Sequence, residues 1–540
     1  MARLYDRIWP HFQRHKRLIL IATPLVCGLI YMILCMTNLT RSIWFDESFS
    51  AYLTRFDFAH IWEFTAADVH PPFYYFVLKA WAKLFGRTDF SLRSLSMVFG
   101  AIAILMAFLW LKYKYGTIAA IFGTFLLSIS PTLVRYGQEM RMYTLIVAIV
   151  FAATYVLQLA IDHGGKKWWF LYACLLALGM WTHYFVVFAW IAHFFYLLKI
   201  YKKRLFKQPV LKVYFLAVLL FLPWVPGLIS QIADVQGHGF WVPALSFNGL
   251  ANYWTEALVY EKASQTQNWL LILALVNTGL FVYLLYKYRR NFVLLRYLAT
   301  IPVVILVLLS MPPLNSMFIP RYLIYAIAAL PLIGGVGCAF FMRDSILHAE
   351  RAAKKRRAKA VAKTPSHIIV EPAVALWRRP IVRAFVCLAI FAATSLCGLR
   401  AVAVHGSYNF DSNAQSASRE LYSDLLALDA GKNLPIIAAS PWLYYDLSFY
   451  ADGAHQMFFL DETTKYDYGS MRPLEKTYFG KIRDLDRFLS NKTEIWYVGS
   501  TPELDNLSFP RDDWEISEIS NFRYNEYSDS YQILKLTKKI

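Results

Sequence analysis

The chain has 540 residues, of which 58% are hydrophobic, 17% aromatic and only 17% charged. This apolar share is well above that of soluble proteins, so the composition excludes an ordinary soluble multidomain protein. The formal net charge is +19, but it does not indicate nucleic-acid binding, because Lys and Arg gather in short clusters between long apolar runs instead of covering one soluble face.

Apolar segments long enough to predict membrane-spanning helices occur along most of the chain. A bilayer core of about 30 Å requires roughly 20 residues in a helix. Such segments lie near residues 18–38, 94–111, 117–130, 142–161, 169–182, 184–200, 211–230, 268–286, 296–311, 322–342 and 381–403. The third and the fifth are short for a span. We therefore predict a mainly α-helical, polytopic membrane bundle with about eleven transmembrane helices.

The basic clusters predict the orientation of this bundle. With the N-terminus in the cytoplasm, five clusters fall on the cytoplasmic side: Lys112/Lys114, Lys166/Lys167, Lys202–Arg204, Arg289/Arg290 and Lys354–Arg357. This is the arrangement that the positive-inside rule requires. The chain is therefore expected in the cell membrane, with the loops near 39–93, 130–141, 231–267 and 311–321 on the non-cytoplasmic face and a basic cytoplasmic linker at about 343–380.

The composition changes after residue 403. From His405 to the end there are 21 Asp and Glu residues against 14 Lys and Arg residues. Helical patterns at 411–429 and 478–490 alternate with apolar runs at 434–439, 456–460, 495–498 and 531–536. These features predict a soluble extracytoplasmic α/β domain over residues 404–540, after a transmembrane catalytic domain over residues 1–403. The sequons at Asn491 and Asn506 fit an outside location.

The first candidate site residues are two adjacent carboxylates, Asp46 and Glu47, which follow the first predicted helix. A carboxylate held between membrane and protein can act as a general base. Equally, the two residues can be loop charges or the start of a surface helix. Next, His70 precedes two prolines, and Pro72 can begin a short interfacial helix over residues 72–86. His70 can then face the carboxylates, or it can be a structural loop residue.

A third candidate cluster follows Ser130 and Pro131, which can cap and begin a short helix. Its members are polar or aromatic side chains at the non-cytoplasmic membrane surface: Arg135, Gln138, Glu139, Arg141 and Tyr143. Two arginines beside an amide and a carboxylate can bind a phosphate group. The alternative is a simple ion pair between residues 135 and 139 on one helix face.

Two more candidates lie at predicted helix ends on the same face. His183 stands in an aromatic run that is also typical of an interfacial belt. Arg321, followed by Tyr322, can pair with a lipid phosphate or extend to the head groups.

Taken in order, four of these segments resemble the membrane-embedded glycosyltransferases of the GT-C superfamily, and family 39 in particular: Asp46-Glu47, His70-Pro71-Pro72-Phe73-Tyr74-Tyr75, the run from Arg135 to Tyr143, and Arg321-Tyr322. Family 39 includes protein O-mannosyltransferases and bacterial lipid A aminoarabinose transferases. The resemblance covers roughly residues 15–345 and leaves the acidic domain unmatched.

The resemblance implies a hexosyl- or pentosyltransferase that takes a monosaccharide from a polyprenyl-phosphate donor. The acceptor would be a glycan, a lipid or a protein on the non-cytoplasmic face, and the anomeric carbon would be inverted. Asp46 would be the catalytic base. Arg135, Arg141 and Arg321 would stabilise the departing phosphate. Glu47, His70 and Glu139 would orient the acceptor or hold one divalent cation, and the remaining substrate-binding candidates are Gln138, Tyr143, His183 and Tyr322.

Two other functions fit a polytopic protein with arginines near lipid phosphates. One is a transporter or flippase for lipid or polysaccharide, and the other is a polysaccharide polymerase or ligase with a lipid-diphosphate donor. Polar residues gather at helix ends, and no internal repeat or charged mid-membrane residue is evident. This distribution favours chemistry at the membrane surface over transport.

Overall fold

The computed structural model describes residues 15–238, 242–263, 266–361, 380–405, 417–460, 474, 480–500, 513–522 and 531–539. Part of the predicted basic linker, residues 362–379, lies outside this description. So do the sequon at Asn506 and the first residues, 411–416, of a predicted helix.

Helices make up most of the described N-terminal part. The first long helix is α1 (Lys16–Met36), and three short helices follow it: α2 (Phe45–Leu53), α3 (Phe58–Ala66) and α4 (Phe73–Phe85). The bundle continues with α5 (Asp89–Tyr115), α6 (Thr117–Ser128), α7 (Pro131–Gly137), α8 (Tyr143–His163), α9 (Lys166–Thr182), α10 (Val187–Tyr201), α11 (Val210–Phe221) and α12 (Val225–His238). It closes with α13 (Phe247–Val259), α14 (Asn268–Lys287), α15 (Val293–Leu309), α16 (Ile324–Val361) and α17 (Pro380–His405).

All eleven predicted spans are helical, but they differ in length. Among the described residues, eight helical segments are long and apolar enough to cross a membrane, and nine if α6 and α7, which meet at a bend of 58°, form one span. The remaining two predicted segments are α9 and α15, each of 17 residues. That length is at the lower limit for a helix that crosses the bilayer core. The structure is thus a polytopic helical membrane protein.

Local sequence explains where the helices near the site begin and end. The helix α5 starts after Thr88, whose hydroxyl accepts a hydrogen bond from the Ser91 amide. It ends at Gly116, where φ is 94°, a value that favours glycine. The predicted interfacial helix is α4, and α7 begins at Pro131 as predicted. Ser130 precedes it in an extended conformation, but its side chain does not cap the helix.

A polar cluster within the bundle is an exception to the expected placement of polar residues at helix ends. The His193 ring lies 3.0 Å from the Thr154 hydroxyl and 3.0 Å from the Tyr172 hydroxyl. All three side chains are buried. Such mutual hydrogen bonding removes most of the cost of placing polar groups among apolar helices, so the cluster holds neighbouring helices together.

The C-terminal part is a small α/β domain. Its helices are α18 (Ser418–Asp429), α19 (Pro441–Ala451) and α20 (Leu485–Leu489). Its strands are β1 (Ile436–Ala438), β2 (Met457–Leu460), β3 (Lys481–Ile482), β4 (Glu494–Ser500), β5 (Trp514–Phe522) and β6 (Tyr531–Lys538). They form one sheet in the order β3-β2-β1-β4-β6-β5. Strands β1 to β4 pair in parallel, whereas β6 is antiparallel to β4 and β5.

The four predicted strands are β1, β2, β4 and β6, but the helix predicted near 478–490 is much shorter in the structure. In the described part of the predicted segment, residues 480–490, the short strand β3 comes first and the five-residue helix α20 follows. Gly480 has a φ of 79° next to β3, and the Asp484 carboxylate accepts a hydrogen bond from the Arg487 amide at the start of α20. A break and a new cap inside the segment prevent one continuous helix.

The α/β domain contacts the membrane bundle through α19, which packs on α2. The Tyr445 ring lies 4.9 Å from the Tyr52 ring and 5.7 Å from the Phe49 ring, measured between centroids. The Ile43 amide donates a hydrogen bond of 2.8 Å to the Tyr450 hydroxyl. Aromatic packing of this kind fixes the position of α2 on the side away from the bundle.

Candidate active site

The two predicted carboxylates occupy the first turn of α2, where a helix N-terminus favours negative charge. Their environments differ. The Asp46 side chain remains 18% exposed, whereas that of Glu47 is 2% exposed. They are therefore not a pair of solvated loop charges, and only Asp46 can be reached from outside.

Two arginines from distant parts of the chain face the Asp46 carboxylate. Arg321 Nη1 lies 3.5 Å and Arg141 Nη2 lies 3.9 Å from Asp46 Oδ2. Both distances are long for a charge-assisted hydrogen bond, which is typically about 2.7–2.9 Å. Asp46 is thus flanked by two positive charges without being tied to either of them.

Arg141 is held in place by neutral groups around it. Its Nη1 donates to the backbone oxygen of Asp46 at 3.2 Å, and to the hydroxyl oxygens of Ser50 and Tyr75, both at 3.3 Å. Its Nη2 lies 3.5 Å from the His70 ring. The guanidinium is buried, so its charge is fixed in direction and little screened by water.

His70 is paired with an aspartate that the sequence analysis did not select. His70 Nδ1 lies 3.2 Å from Asp68 Oδ2, and both residues are buried. Burial, helped by the nearby Arg141 charge, lowers the pKa of His70. The imidazole is therefore neutral at pH 7. Asp68 could have been selected from the sequence because it stands two positions before His70 in the same loop.

Glu47 is engaged by Arg93, a second residue that was not predicted. Arg93 donates two hydrogen bonds to the Glu47 carboxylate, of 2.7 Å and 2.6 Å, and the Met140 amide donates a third of 2.8 Å. Arg93 also donates to the backbone oxygens of Leu39 and Ser42. This network joins α2, α5 and the segment after α7. The position of Arg93 immediately before the predicted span at 94–111 was its signal in the sequence.

Arg135 and Glu139 form the ion pair that was considered as an alternative, with 3.0 Å between Nη1 and Oε2. Both side chains are buried. Within the described part of the chain, Arg135 Nε and Glu139 Oε1 have no hydrogen-bond partner. Burial raises the pKa of Glu139, and the Arg135 charge only partly offsets this.

Gln138 faces the first helix. Its amide nitrogen donates to the backbone oxygen of Leu34 at 3.3 Å and to the Thr37 hydroxyl at 3.0 Å. Its amide oxygen accepts from Asn38 at 3.2 Å. The side chain thus links the end of α1 to the segment that carries Arg141.

Aromatic rings form one wall of the site. The His183 ring lies 5.3 Å from the Tyr322 ring, 5.5 Å from the His70 ring and 6.3 Å from the Tyr143 ring. The Arg321 guanidinium carbon lies 6.0 Å from the Trp44 ring centre. The structure therefore brings all the sequence-predicted site residues to one end of the bundle, around Asp46.

No metal cluster is evident in the described ranges, where no three His, Cys, Asp or Glu side chains are placed to hold an ion. The carboxylates beside Asp46 are already engaged, Glu47 by Arg93 and Asp68 with His70. The divalent cation considered from the sequence stays a prediction, and no step below is assigned to it.

Residues 69–226 match the family model of dolichyl-phosphate-mannose-protein mannosyltransferases. This segment contains His70, Arg141 and His183, whereas Asp46 and Arg321 lie outside it. Over the segment that it covers, this match agrees with the resemblance to the GT-C membrane glycosyltransferases, and the solved structures below share the fold of this chain. The resemblance seen in the sequence is therefore confirmed.

Two solved proteins illustrate the likeness. ArnT from Cupriavidus metallidurans in the apo state is 15% identical, with a TM-score of 0.59 over 97% of this chain and 98% of that chain. The same protein bound to undecaprenyl phosphate is 15% identical, with a TM-score of 0.58 over 96% and 97%. The Archaeoglobus fulgidus oligosaccharyltransferase in the apo form is 13% identical, with a TM-score of 0.51 over 81% and 64%. No curated protein sequence matches significantly.

Proposed function

We propose that the chain transfers a monosaccharide from a polyprenyl-phosphate donor to an acceptor on the non-cytoplasmic face of the membrane, with inversion. The observation that carries this proposal is the accessible Asp46 carboxylate between Arg141 and Arg321. A base next to two fixed cations suits a reaction that removes a proton and releases a phosphate. The shared fold with a protein crystallised with undecaprenyl phosphate supports the choice of donor.

Asp46 acts on the acceptor. A hydroxyl group of the acceptor attacks the anomeric carbon, and its proton passes to the Asp46 carboxylate. The new carbon–oxygen bond forms on one face of the sugar while the bond to the phosphate oxygen breaks on the other, which inverts the configuration. A positioned base contributes roughly 10²–10⁴ in rate to such a step.

The arginines act on the leaving group. The phosphodiester of the donor carries one negative charge, and the lipid phosphate gains a second charge as it takes the electron pair of the broken bond. Arg141 is already fixed by Ser50 and Tyr75, so no reorganisation is needed when that charge develops. Arg321, placed between Asp46 and the Trp44 ring, provides the second positive charge.

The remaining candidates position these groups. Glu47 orients α2 through Arg93, and His70 and Asp68 support Arg141. Gln138 anchors the segment that carries Arg141 to α1. Tyr143, His183 and Tyr322 present rings beside Arg321, a surface on which a sugar or a prenyl chain can lie. Arg135 and Glu139 hold each other at the back of the site.

The membrane orientation is part of the proposal. The basic residues Lys114 and Arg343 lie at the ends of α5 and of the Pro320–Asp344 span that are remote from the site. The positive-inside rule assigns that end to the cytoplasm. A reporter fused after Lys359 should then read as cytoplasmic and one fused after Ser407 as external. The opposite pair of results would invert the assignment.

The donor class is tested with purified protein in detergent. Polyprenyl-monophosphate sugars and polyprenyl-diphosphate sugars are offered separately, and release of the free polyprenyl phosphate is followed by mass spectrometry. Release from the monophosphate donor that is lost in Asp46→Asn supports the proposal. Turnover of the diphosphate donor alone indicates a polymerase or ligase, and movement of an intact donor across vesicles without bond cleavage indicates a transporter. Lipid extracts from cells lacking the protein would identify the acceptor.

A further inference from the structure

A cavity with basic side chains in its lining lies at the end of the bundle that is remote from Asp46. Its volume is about 450 Å³. Four cationic side chains line it: Lys114, Lys199, Arg290 and Arg343. A neighbouring cavity of about 240 Å³ shares Lys199 and Arg290 and adds Arg289 and Arg296. The two form one basic recess between α5, α10, α15 and α16.

The helix α5 extends from the candidate active site to this recess, so its length gives the distance between them. Arg93, in its second turn, binds Glu47 at the site, whereas Lys114, in its last turn, lines the recess. At about 1.5 Å per residue, these two positions are about 32 Å apart along the helix axis. This is the thickness of a bilayer core. The recess and the site therefore face opposite membrane surfaces.

Within the part of the chain that the structure describes, no carboxylate neutralises the charges in the recess. None of the described residues that line the two cavities carries a carboxylate. Within the described ranges, none of Lys114, Lys199, Arg290 and Arg343 has a carboxylate oxygen within 4.0 Å. The nearby Asp344 instead accepts a hydrogen bond from the Tyr288 hydroxyl and faces Lys287. Several like charges around one hollow raise its positive potential and attract an anion.

The floor of the recess is apolar. The rings of Tyr115 and Phe340 line it and lie 6.0 Å apart between centroids, and Val293 and Leu294 are buried beside them. The Tyr115 hydroxyl donates a hydrogen bond to the Asn291 backbone oxygen, which connects α5 to the start of α15. A group of cations above an apolar floor matches a phosphate attached to an organic group better than a small mobile ion.

We propose that this recess is a binding site for a phosphate group on the membrane side opposite to the candidate active site. Lys199 and Arg290, which line both cavities, are its main ligands. The phosphate can belong to the head group of an anionic phospholipid or to a soluble phosphate compound. Basic pockets between transmembrane helices recognise phosphate head groups in this manner. The proposal does not depend on the reaction at Asp46.

The test uses the full-length protein in detergent and the paired variant Lys199→Gln/Arg290→Gln. The matched control is Lys203→Gln/Arg204→Gln, which removes one lysine and one arginine that are exposed just after α10 and do not line the recess. Native mass spectrometry counts retained phosphatidylglycerol, with phosphatidylcholine, which is zwitterionic and has no net charge, as the comparison. We expect the recess variant to lose roughly tenfold or more of the phosphatidylglycerol adduct, since each lost charge-assisted hydrogen bond weakens phosphate binding by about that factor.

A thermal-melting arm separates the two sources of phosphate. Stabilisation by phosphatidylglycerol but not by millimolar inorganic phosphate assigns the site to a lipid, and equal stabilisation by both assigns it to a soluble phosphate. In either case the recess variant should lose the effect. The charge-preserving variant Lys199→Arg/Arg290→Lys should keep the adduct and so exclude misfolding as the cause. Equal adduct retention in the recess variant and wild type, or equal loss in the control, would overturn the proposal.

Discussion

Arg93 binds both carboxylate oxygens of Glu47, at 2.7 Å and 2.6 Å, although the two residues are 46 positions apart and both are buried. The preceding carboxylate, Asp46, has its closest cation at 3.5 Å. Two adjacent acidic residues in one helical turn therefore have different roles. Glu47 fixes the helix in the bundle, and Asp46 is left available for chemistry.

The first prediction concerns Asp46→Asn, which keeps the size of the side chain but removes its ability to take a proton. Turnover should fall by about 10²–10⁴, whereas donor affinity should change little. Single-turnover transfer and donor binding are measured separately. Asp162→Asn, at an exposed position on α8 beyond the site, is the matched control and should behave as wild type.

Near-normal transfer by Asp46→Asn would remove Asp46 as the base. Glu139 would then be the next candidate, because burial raises its pKa and one of its oxygens has no hydrogen-bond partner within the described residues.

The second prediction concerns Glu47→Gln, which leaves Arg93 buried without its counter-charge. Breaking a buried ion pair from one side typically costs about 3–5 kcal/mol of stability. We expect a lower melting temperature in detergent for Glu47→Gln than for Asp46→Asn, and a loss of activity in proportion to the loss of folded protein. If Glu47→Gln melted as wild type but were inactive, Glu47 would contact the substrate instead of positioning α2.

The third prediction concerns Arg321, whose Nη1 lies 3.5 Å from Asp46 Oδ2 and whose guanidinium carbon lies 6.0 Å from the Trp44 ring centre. Arg321→Ala should weaken binding of polyprenyl phosphate by about 10–100-fold, since a hydrogen bond to a charged group contributes about 1.5–3 kcal/mol. Arg321→Lys should recover part of this loss, because it restores the charge but not the planar fork. Titration of the lipid phosphate against each purified variant measures the effect.

Arg204→Ala, an exposed arginine of the opposite end of the bundle, serves as the control for that titration. Unchanged lipid-phosphate affinity in Arg321→Ala would show that Arg321 acts on Asp46 alone.

The fourth prediction concerns pH and Asp446, a buried carboxyl group of α19. Burial raises the pKa of Asp446 to about 7, and the hydroxyls of Ser48 and Ser418 offset only part of this increase. Since the folded state binds this proton more tightly than the unfolded chain, stability should decrease as the pH rises from about 4 to about 7. Above the folded pKa the loss is complete.

Asp446→Asn removes this ionisation while keeping a similar shape. Its melting temperature should exceed that of wild type at pH 8, and its melting curve should vary less between pH 5 and pH 8. Asp424→Asn, at an exposed position of α18, should retain the wild-type pH dependence. A wild-type protein whose stability rises over this pH range would contradict the assignment.

Helices α3 and α13 lie in segments that were predicted as loops, whereas the membrane-spanning helices could be predicted from the sequence because each is an apolar run of about the length that a bilayer core requires. Two features of the α/β domain could not. The apolar residues of strand β5 do not keep the alternation of a regular strand, because the pattern changes phase at the irregularity between Ile516 and Glu518, and both Ile516 and Ile519 are exposed. Helix α19 is aromatic on several sides because it packs on α2 as well as on its own sheet. Both elements are determined by contacts with residues that are distant in the sequence.

The candidate site shows the same division. Asp46, Arg141 and Arg321 stand at ends of predicted helices, where a charged residue attracts notice. Arg93 also stands just before a predicted span, but its pairing with Glu47 could not be found in this way, because two short helices separate the two residues along the chain. Likewise, Gln138 belongs with other surface polar residues in the sequence, and only folding brings it against Leu34 and Thr37.

The packing of Tyr445 on Phe49 and Tyr52 has a genetic consequence. Helix α2 packs against the bundle on one side and against α19 on the other. The orientation of its first turn therefore depends on a domain that supplies no reacting group. In a random screen for inactive alleles, substitutions at the α19 surface should therefore be recovered alongside those at Asp46, and compensating changes should be found across the α2–α19 boundary.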